Sequence, residues 1–170
     1  YVYDTATYSL QDTLTDSTDD PTTLVYTSDG NYLAIGSADD NVYIYDTATY
    51  SLQDTLTDAT ANIGGVTFSP DDSQLAVGSW DDNLYIYDTA TYSLQATFTE
   101  SVGFVYAPVY TDDGSQLISR ASDPNLYIYD TSSLTLVETL TEPSGNVASF
   151  ALNPDNSMLA VGSADDNVYI

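Results

Sequence analysis

The apolar and polar positions of this chain follow one pattern that recurs every 42 residues. In the clearest copy, the apolar stretch LAIGS (33–37) precedes an acidic turn, which leads to NVYIYD (41–46) and then to the more polar SLQDTLTD (51–58). Gly, Pro, Asp and Asn interrupt the apolar stretches about every 8–12 residues, which is typical of all-β folds. No stretch has the period of an amphipathic helix. The pattern therefore predicts about four short strands in each repeat.

The alternation within each copy predicts how its strands are covered. In NVYIYD, Val42 and Ile44 point to one face, and Tyr43 and Tyr45 point to the other. Both faces are apolar or aromatic, so this strand is expected to be covered on both sides. The last stretch, 51–58, mixes Leu with Ser, Gln, Asp and Thr and is predicted to be an exposed outer strand.

A hairpin turn is predicted between the first and second strands of every repeat. Pro presets one turn position, whereas Gly, Asn or Asp tolerates a positive φ. The predicted turns are Thr27–Gly30, Ser69–Asp72, Asp112–Gly114 and Asn153–Asn156.

The third repeat departs from the other copies. Pro108 stands where the second repeat has Val66, and a proline there would remove a hydrogen-bond donor from an inner strand. Arg120 replaces Gly78, and Ala121 replaces Ser79; Pro124 likewise replaces Asp82. These changes predict a local irregularity, with a specialised patch around Arg120 as the alternative.

The charge balance excludes several classes of partner. The chain has 26 acidic residues and one basic residue, Arg120, which gives a formal net charge of −25. Binding to nucleic acid requires Lys and Arg to replace phosphate counterions, and an anionic membrane surface would also repel this chain. At about 1 M salt the Debye length is only about 3 Å, so most of the self-repulsion would be screened. We therefore expect a solvated surface adapted to a salt-rich environment.

Residues 68–99, FSPDDSQLAVGSWDDNLYIYDTATYSLQATFT, resemble the WD-repeat β-propeller family and are similar to the YVTN-type repeats of archaeal surface proteins. The "FSPD" hairpin, "LAVGSxDD" and the "NLYIYD" strand carry the resemblance, which extends in part to every repeat. The chain lacks the family's Gly-His dipeptide, because it contains no His. Tyr replaces the family's Trp. The resemblance implies that the family's hydrogen-bond network survives only in part, at Ser37, Asp39 and Tyr45 and at Ser79, Asp81 and Tyr87.

The predicted fold is an all-β propeller of four-stranded antiparallel blades, with four 42-residue repeats in one domain spanning residues 1–170. The resemblance implies that residues 1–16 complete the blade begun by residues 147–170. Three arrangements stay open. One chain could close a four-bladed ring, two chains could form an eight-bladed ring, or the chain could be a segment of a longer array.

The candidate functional residues point away from catalysis. The chain contains no His and no Cys, and its paired carboxylates recur in every repeat, whereas a catalytic pair would be unique. We therefore expect that this protein is not an enzyme. Carboxylate and amide oxygens suit Ca²⁺ if neighbouring turns converge, and no other cofactor is expected. The candidate calcium ligands are Asp39, Asp40, Asn41, Asp81, Asp82, Asn83, Asp165, Asp166 and Asn167.

Two residues are candidate contacts for a partner, because they are unlike their equivalents in the other repeats. Trp80, the single Trp, takes the place of Ala38, and Arg120 is the single basic side chain. The predicted function is a non-catalytic scaffold that binds a protein partner or further copies of itself, including a homodimer that forms a larger ring. The alternative is a structural repeat module of a cell-surface or filament protein.

Overall fold

The computed structural model describes residues 1–106 and 108–170, and its regular structure is entirely β. Three four-stranded antiparallel sheets, which we call blades 1 to 3, follow one another along the chain. Blade 1 contains β3 (Pro21–Tyr26), β4 (Tyr32–Ser37), β5 (Val42–Asp46) and β6 (Leu52–Leu56). Blade 2 contains β7 (Ile63–Phe68), β8 (Gln74–Ser79), β9 (Leu84–Asp88) and β10 (Leu94–Phe98). Blade 3 contains β11 (Val109–Tyr110), β12 (Gln116–Arg120), β13 (Leu126–Asp130) and β14 (Thr135–Leu140).

Two smaller sheets flank the three blades. The N-terminal hairpin pairs β1 (Val2–Tyr3) with β2 (Leu10–Asp12), and the terminal sheet consists of β15 (Val147–Leu152), β16 (Leu159–Ser163) and β17 (Val168–Tyr169). The architecture fits a propeller, as the sequence predicts, but the sheets formed by the described residues are not closed into a ring. None of the described residues forms a helix long and apolar enough to cross a membrane.

The third strand of each blade is covered on both faces, as its alternation predicts. In β5, Val42, Tyr43, Ile44 and Tyr45 are all buried. Ile44 lies directly opposite Ala34 of β4, and the two apolar side chains form a cross-strand pair. The outer strand β6 is largely exposed up to Leu56, whose side chain turns into the core. The prediction of a doubly covered third strand and an exposed outer strand is confirmed.

The turns use positive φ at the positions that small or short polar residues favour. Each predicted first hairpin ends on such a residue, and the four are Gly30, Asp72, Gly114 and Asn156. In the acidic turns the residue with a positive φ is the middle Asp, namely Asp40, Asp82 and Asp166. The hairpin between the third and outer strands adds an unpredicted set of positive φ values at Tyr8, Tyr50, Tyr92 and Leu134.

Neighbouring blades pack through apolar side chains at each interface. Between blades 1 and 2, Ile44 and Leu56 pack with Ile63 and Tyr87. Between blades 2 and 3, the ring of Phe98 stacks on that of Tyr129, with centroids 4.1 Å apart.

Blade 3 is irregular where the sequence predicts it. Its inner strand β11 has only two residues and begins directly after Pro108, whereas β7 has six. An isolated bridge pairs Val105 with Ala121 just before it. The local irregularity predicted from Pro108 is therefore confirmed.

Candidate functional site

Each acidic turn connects the second and third strands of a blade, and its carboxylate is hydrogen-bonded to the segment that enters that blade. The Asp39 carboxylate accepts hydrogen bonds from the Thr18 amide at 2.6 Å and from the Tyr43 hydroxyl at 2.9 Å. The Asp81 carboxylate accepts the equivalent bonds from Thr60 and Tyr85, at 2.7 and 2.8 Å. The same pair of bonds reaches Asp123 from Val102 and Tyr127, and Asp165 from Ser144 and Tyr169.

The tyrosine in this network differs from the one that the sequence analysis expected. The Asp39 amide donates to Ser37 Oγ at 3.2 Å, but the hydroxyl that reaches the Asp39 carboxylate belongs to Tyr43 and not to Tyr45. Tyr45 donates instead to the Asp16 carboxylate at 2.8 Å. The assignment of Tyr45 and Tyr87 to the network is wrong, because their hydroxyls point to the segment that precedes their blade.

The hydrogen bonds set the charge states of the turn. Burial raises the pKa of Asp39, but the bonds from Thr18 and Tyr43 outweigh it and hold that pKa well below its usual range. Burial, followed by the hydrogen bond to Asp81, raises the pKa of Tyr85 to about 12. At neutral pH the turn therefore pairs a charged carboxylate with a neutral tyrosine that donates to it.

The candidate calcium ligands lie on separate turns. Asp40, Asp82 and Asp166 are the middle residues of these turns, and Asn41 and Asn167 use their side-chain amides to donate to the carbonyls of Asp39 and Asp165. Asn83 donates to the Tyr85 hydroxyl at 3.2 Å. Among residues 1–106 and 108–170, no three His, Cys, Asp or Glu side chains lie close enough together to hold a metal ion. Calcium binding at these turns stays a prediction.

Trp80 is part of an exposed apolar surface, which we call the Trp80 surface and define as Trp80, Val102 and Phe104. The rings of Trp80 and Phe104 are stacked, with centroids 5.0 Å apart. The three side chains are 37%, 74% and 44% exposed, respectively. The Trp80 amide donates to the Asn62 carbonyl at 2.9 Å, which holds the indole at the edge of blade 2.

The repeat also carries a signal for Val102 and Phe104, although neither residue is as conspicuous in the sequence as Trp80. Phe104 stands where the second repeat has Asn62, and Val102 stands where it has Thr60. Two polar positions have therefore become apolar next to the unusual Trp80.

Arg120 is partly buried and makes contacts within the chain. Its guanidinium lies 4.3 Å from the centroid of the Tyr106 ring and donates to the Val147 carbonyl at 3.2 Å. Burial lowers the pKa of Arg120. The side chain therefore ties blade 3 to the first strand of the terminal sheet, β15. Its role as a partner contact stays a prediction.

A comparison with models of protein families shows to which family the chain is related. The family model for the WD domain, G-beta repeat, matches residues 8–46, 50–88 and 134–170, which together cover more than half of the chain. The chain belongs to the WD-repeat family. No match was found among curated proteins. The irregular inner part of blade 3 lies outside the three matched WD repeats, which fall on the regular copies. WD repeats commonly act as non-enzymatic modules for protein interaction.

Proposed function

We propose that this WD-repeat protein is a non-catalytic scaffold that binds a protein partner through the Trp80 surface. The observation that carries the proposal is the exposed stack of Trp80 on Phe104, at a place where the other repeats have small or polar residues. Exposed aromatic side chains are frequent anchors in protein interfaces, because they bury a large area with few rotatable bonds.

The scaffold fixes the anchor residues in position. Trp80 follows Ser79, the last residue of β8, and its amide is bonded to Asn62. The Val102 amide donates to the buried Asp123 carboxylate at 3.0 Å, which holds the segment carrying Phe104. Preorganised side chains lose little conformational entropy on binding, so this surface suits a rigid docking site.

Charge indicates the chemistry of the partner. The chain carries a formal net charge of −25, and Asp82 is exposed two residues from Trp80. Electrostatic complementarity favours a partner segment rich in Lys or Arg and with an apolar residue that covers the Trp80–Phe104 stack. A structural repeat module of a surface or filament protein is the second candidate, and the open order of the sheets favours it.

The single Trp provides a direct test. Proteins retained by the immobilised wild-type chain would be identified and purified, and binding of each would then be measured by the emission of Trp80. A partner is expected to change this emission on binding and to bind the Phe104→Ala variant at least about tenfold more weakly, as is typical of an interface anchor.

The control variant is Tyr26→Ala, which removes an exposed aromatic side chain from β3 in blade 1. It is expected to bind as tightly as the wild type. Equal binding by the wild type and the Phe104→Ala and Trp80→Ala variants, measured calorimetrically, would overturn the Trp80 surface as the docking site.

A further inference from the structure

The junction between blades 1 and 2 contains an open pocket of about 340 Å³. Residues from both blades line it, among them Asp29, Tyr32, Phe68, Asp72 and Tyr92. We call it the Tyr92 pocket. Sites for small molecules have volumes of about 300–1,000 Å³, so the pocket has room for a small ligand.

Two tyrosines, one from each blade, contribute aromatic surface to the Tyr92 pocket. Tyr32 is the first residue of β4 in blade 1 and is 37% exposed. Tyr92 is in the hairpin between β9 and β10 of blade 2 and packs against the core cluster that contains Phe68. Burial, followed by the proximity of Tyr32, raises the pKa of Tyr92, which places the two side chains close together. The face of an aromatic ring is electron-rich and attracts cations.

Two carboxylates add negative charge to the Tyr92 pocket, but most of their acceptor capacity is already used. A carboxylate has about four acceptor sites. Asp29 accepts hydrogen bonds from the Thr27 hydroxyl at 2.7 Å and from the amide and side chain of Asn31 at 2.9 and 2.6 Å. Asp72 accepts the amide and the hydroxyl of Ser28 across the junction between the blades. The pocket is therefore negatively charged, yet it has few free acceptors for a ligand with N–H groups.

The junction between blades 2 and 3 has an equivalent pocket, of about 430 Å³, without the tyrosines. Its lining retains an acidic residue of the first hairpin, Asp71. Gln74 stands there in the place of Tyr32, and its side chain is engaged, because it donates to a backbone carbonyl at 3.2 Å. Leu134 takes the place of Tyr92. None of the described residues that line this second pocket is aromatic, so the second junction provides an internal comparison.

We propose that the Tyr92 pocket binds a small quaternary ammonium ion. Such an ion is positively charged and has no N–H group, so it requires aromatic faces and negative charge rather than free hydrogen-bond acceptors. A primary ammonium is strongly hydrated and would lose water without gaining equivalent acceptors. The phosphate of a phosphocholine group would be repelled by the carboxylates of Asp29 and Asp72, so the ligand is the free cation.

The charge and the position of the pocket are consistent with this ligand. The formal net charge of −25 raises the concentration of cations near the surface. Phe68 and Asp72 precede β8, whereas Trp80 follows it, so the pocket and the Trp80 surface lie at opposite ends of blade 2. This binding site goes beyond the scaffold function and uses no residue of the Trp80 surface, so a failure of either proposal leaves the other measurable.

Isothermal titration calorimetry of the full chain with choline chloride tests the proposal. The titration is made in about 1 M NaCl, where a Debye length of about 3 Å screens the general attraction of cations to an acidic surface. One saturable site per chain is expected. The neutral analogue 3,3-dimethyl-1-butanol, which keeps the shape of choline without its charge, should bind about tenfold more weakly. Phosphocholine should also bind more weakly than choline.

Two variants copy the residues of the second junction, so the repeat itself shows that they are compatible with a blade. They are Tyr32→Gln and Tyr92→Leu, and Leu134 has the same φ of 53° as Tyr92. Each should weaken choline binding about two- to thirtyfold, the range of a cation–π contact. Tyr50→Leu is the matched control, because Tyr50 has the same place in the hairpin of blade 1 but is not among the described residues that line the pocket. It should bind choline as the wild type does, and all three variants keep the net charge.

Equal affinity of the wild type for choline and for the neutral analogue would overturn the proposal, because the pocket would then recognise shape alone. Unchanged binding by Tyr32→Gln and Tyr92→Leu, or a wild-type chain without a saturable site, would overturn it as well. Two sites per chain would show that the second junction also binds and that the tyrosines are not required. Circular dichroism checks that each variant is folded. If Tyr92→Leu loses its β structure, the variant of the more exposed Tyr32 decides the result.

Discussion

Gly78 of blade 2 lies so close to blade 3 that a methyl group on its Cα would be 2.7 Å from the backbone carbonyl oxygen of Tyr106. A real Cβ does not approach a backbone atom so closely, so either β8 or the segment that carries Tyr106 would have to shift. The glycine therefore sets the distance between these two blades. At the equivalent residue Gly162, in the terminal sheet, a Cβ would lie 3.3 Å from the flexible Ser149 hydroxyl and 3.8 Å from the Ser149 carbonyl oxygen, which is an ordinary contact distance for a backbone atom.

Replacing Gly78 by Ala is expected to lower the free energy of unfolding by about 1–3 kcal/mol, the usual cost of overpacking a tight contact. Gly162→Ala is the matched control and should change it by less than about 0.5 kcal/mol. Urea unfolding at a protein concentration where the chain is monomeric measures both. Similar losses in the two variants would contradict the role of Gly78 in blade spacing.

The stack of Phe98 on Tyr129 is expected to be a main contributor to the packing of blades 2 and 3. Phe98→Ala should cost about 3–5 kcal/mol, because it removes a buried ring and leaves a cavity. Phe104→Ala, which removes a half-exposed ring, should cost less than about 1 kcal/mol. Thermal unfolding of the two variants provides the comparison, and a loss below 1 kcal/mol for Phe98→Ala would show that the stack is dispensable.

The buried tyrosines predict a loss of stability in alkali. Burial, followed by hydrogen bonds to Asp81 and Asp123, raises the pKa values of Tyr85 and Tyr127 to about 12. The folded state therefore keeps protons that the unfolded chain loses near pH 10, so this contribution is complete below pH 10 and disappears as the pH rises towards 12.

Chemical unfolding between pH 8 and 12, with tyrosinate absorbance recorded in parallel, measures this loss. Tyr85→Phe should reduce the dependence on pH, and Tyr26→Phe provides the control for removing an exposed hydroxyl. Ionisation of every tyrosine in the folded chain near pH 10 would contradict the prediction.

Salt is expected to stabilise the folded chain strongly, because 26 acidic residues face one basic residue. The Debye length falls from about 30 Å at 0.01 M salt to about 3 Å at 1 M, so most of the repulsion disappears over this range. Melting temperatures in NaCl, compared with those in sucrose at matched osmolality, separate charge screening from general exclusion of the solute. A melting temperature that is the same at both salt concentrations would show that charge repulsion does not limit stability.

Much of this architecture can be predicted from the sequence, because the same local pattern of apolar, polar and turn residues recurs in each 42-residue repeat. The alternation in Val42–Asp46 correctly indicates a strand covered on both faces, and Pro108 correctly marks the shortened β11. Both predictions depend on properties of single strands.

The rest depends on contacts between distant segments, which no local pattern shows. Tyr43 and Tyr45 are two residues apart and chemically identical, yet one bonds to its own turn at Asp39 and the other to Asp16 of the preceding segment. For the same reason, the sequence indicates only one of the two stacked rings of the Trp80 surface. Trp80 is conspicuous in the sequence, whereas Phe104 becomes relevant only when the packing of blades 2 and 3 brings its ring against the indole.

The open order of the sheets has a consequence for how cooperatively the molecule unfolds. Each blade is held mainly by the one before it and the one after it, so stability is transmitted by nearest-neighbour coupling, as in other repeat arrays. Blade 2 has a four-stranded blade on both sides, but the terminal sheet has one only at blade 3. Backbone amides of the terminal sheet should therefore exchange with solvent by local fraying, whereas those of blade 2 should exchange only when the whole array opens.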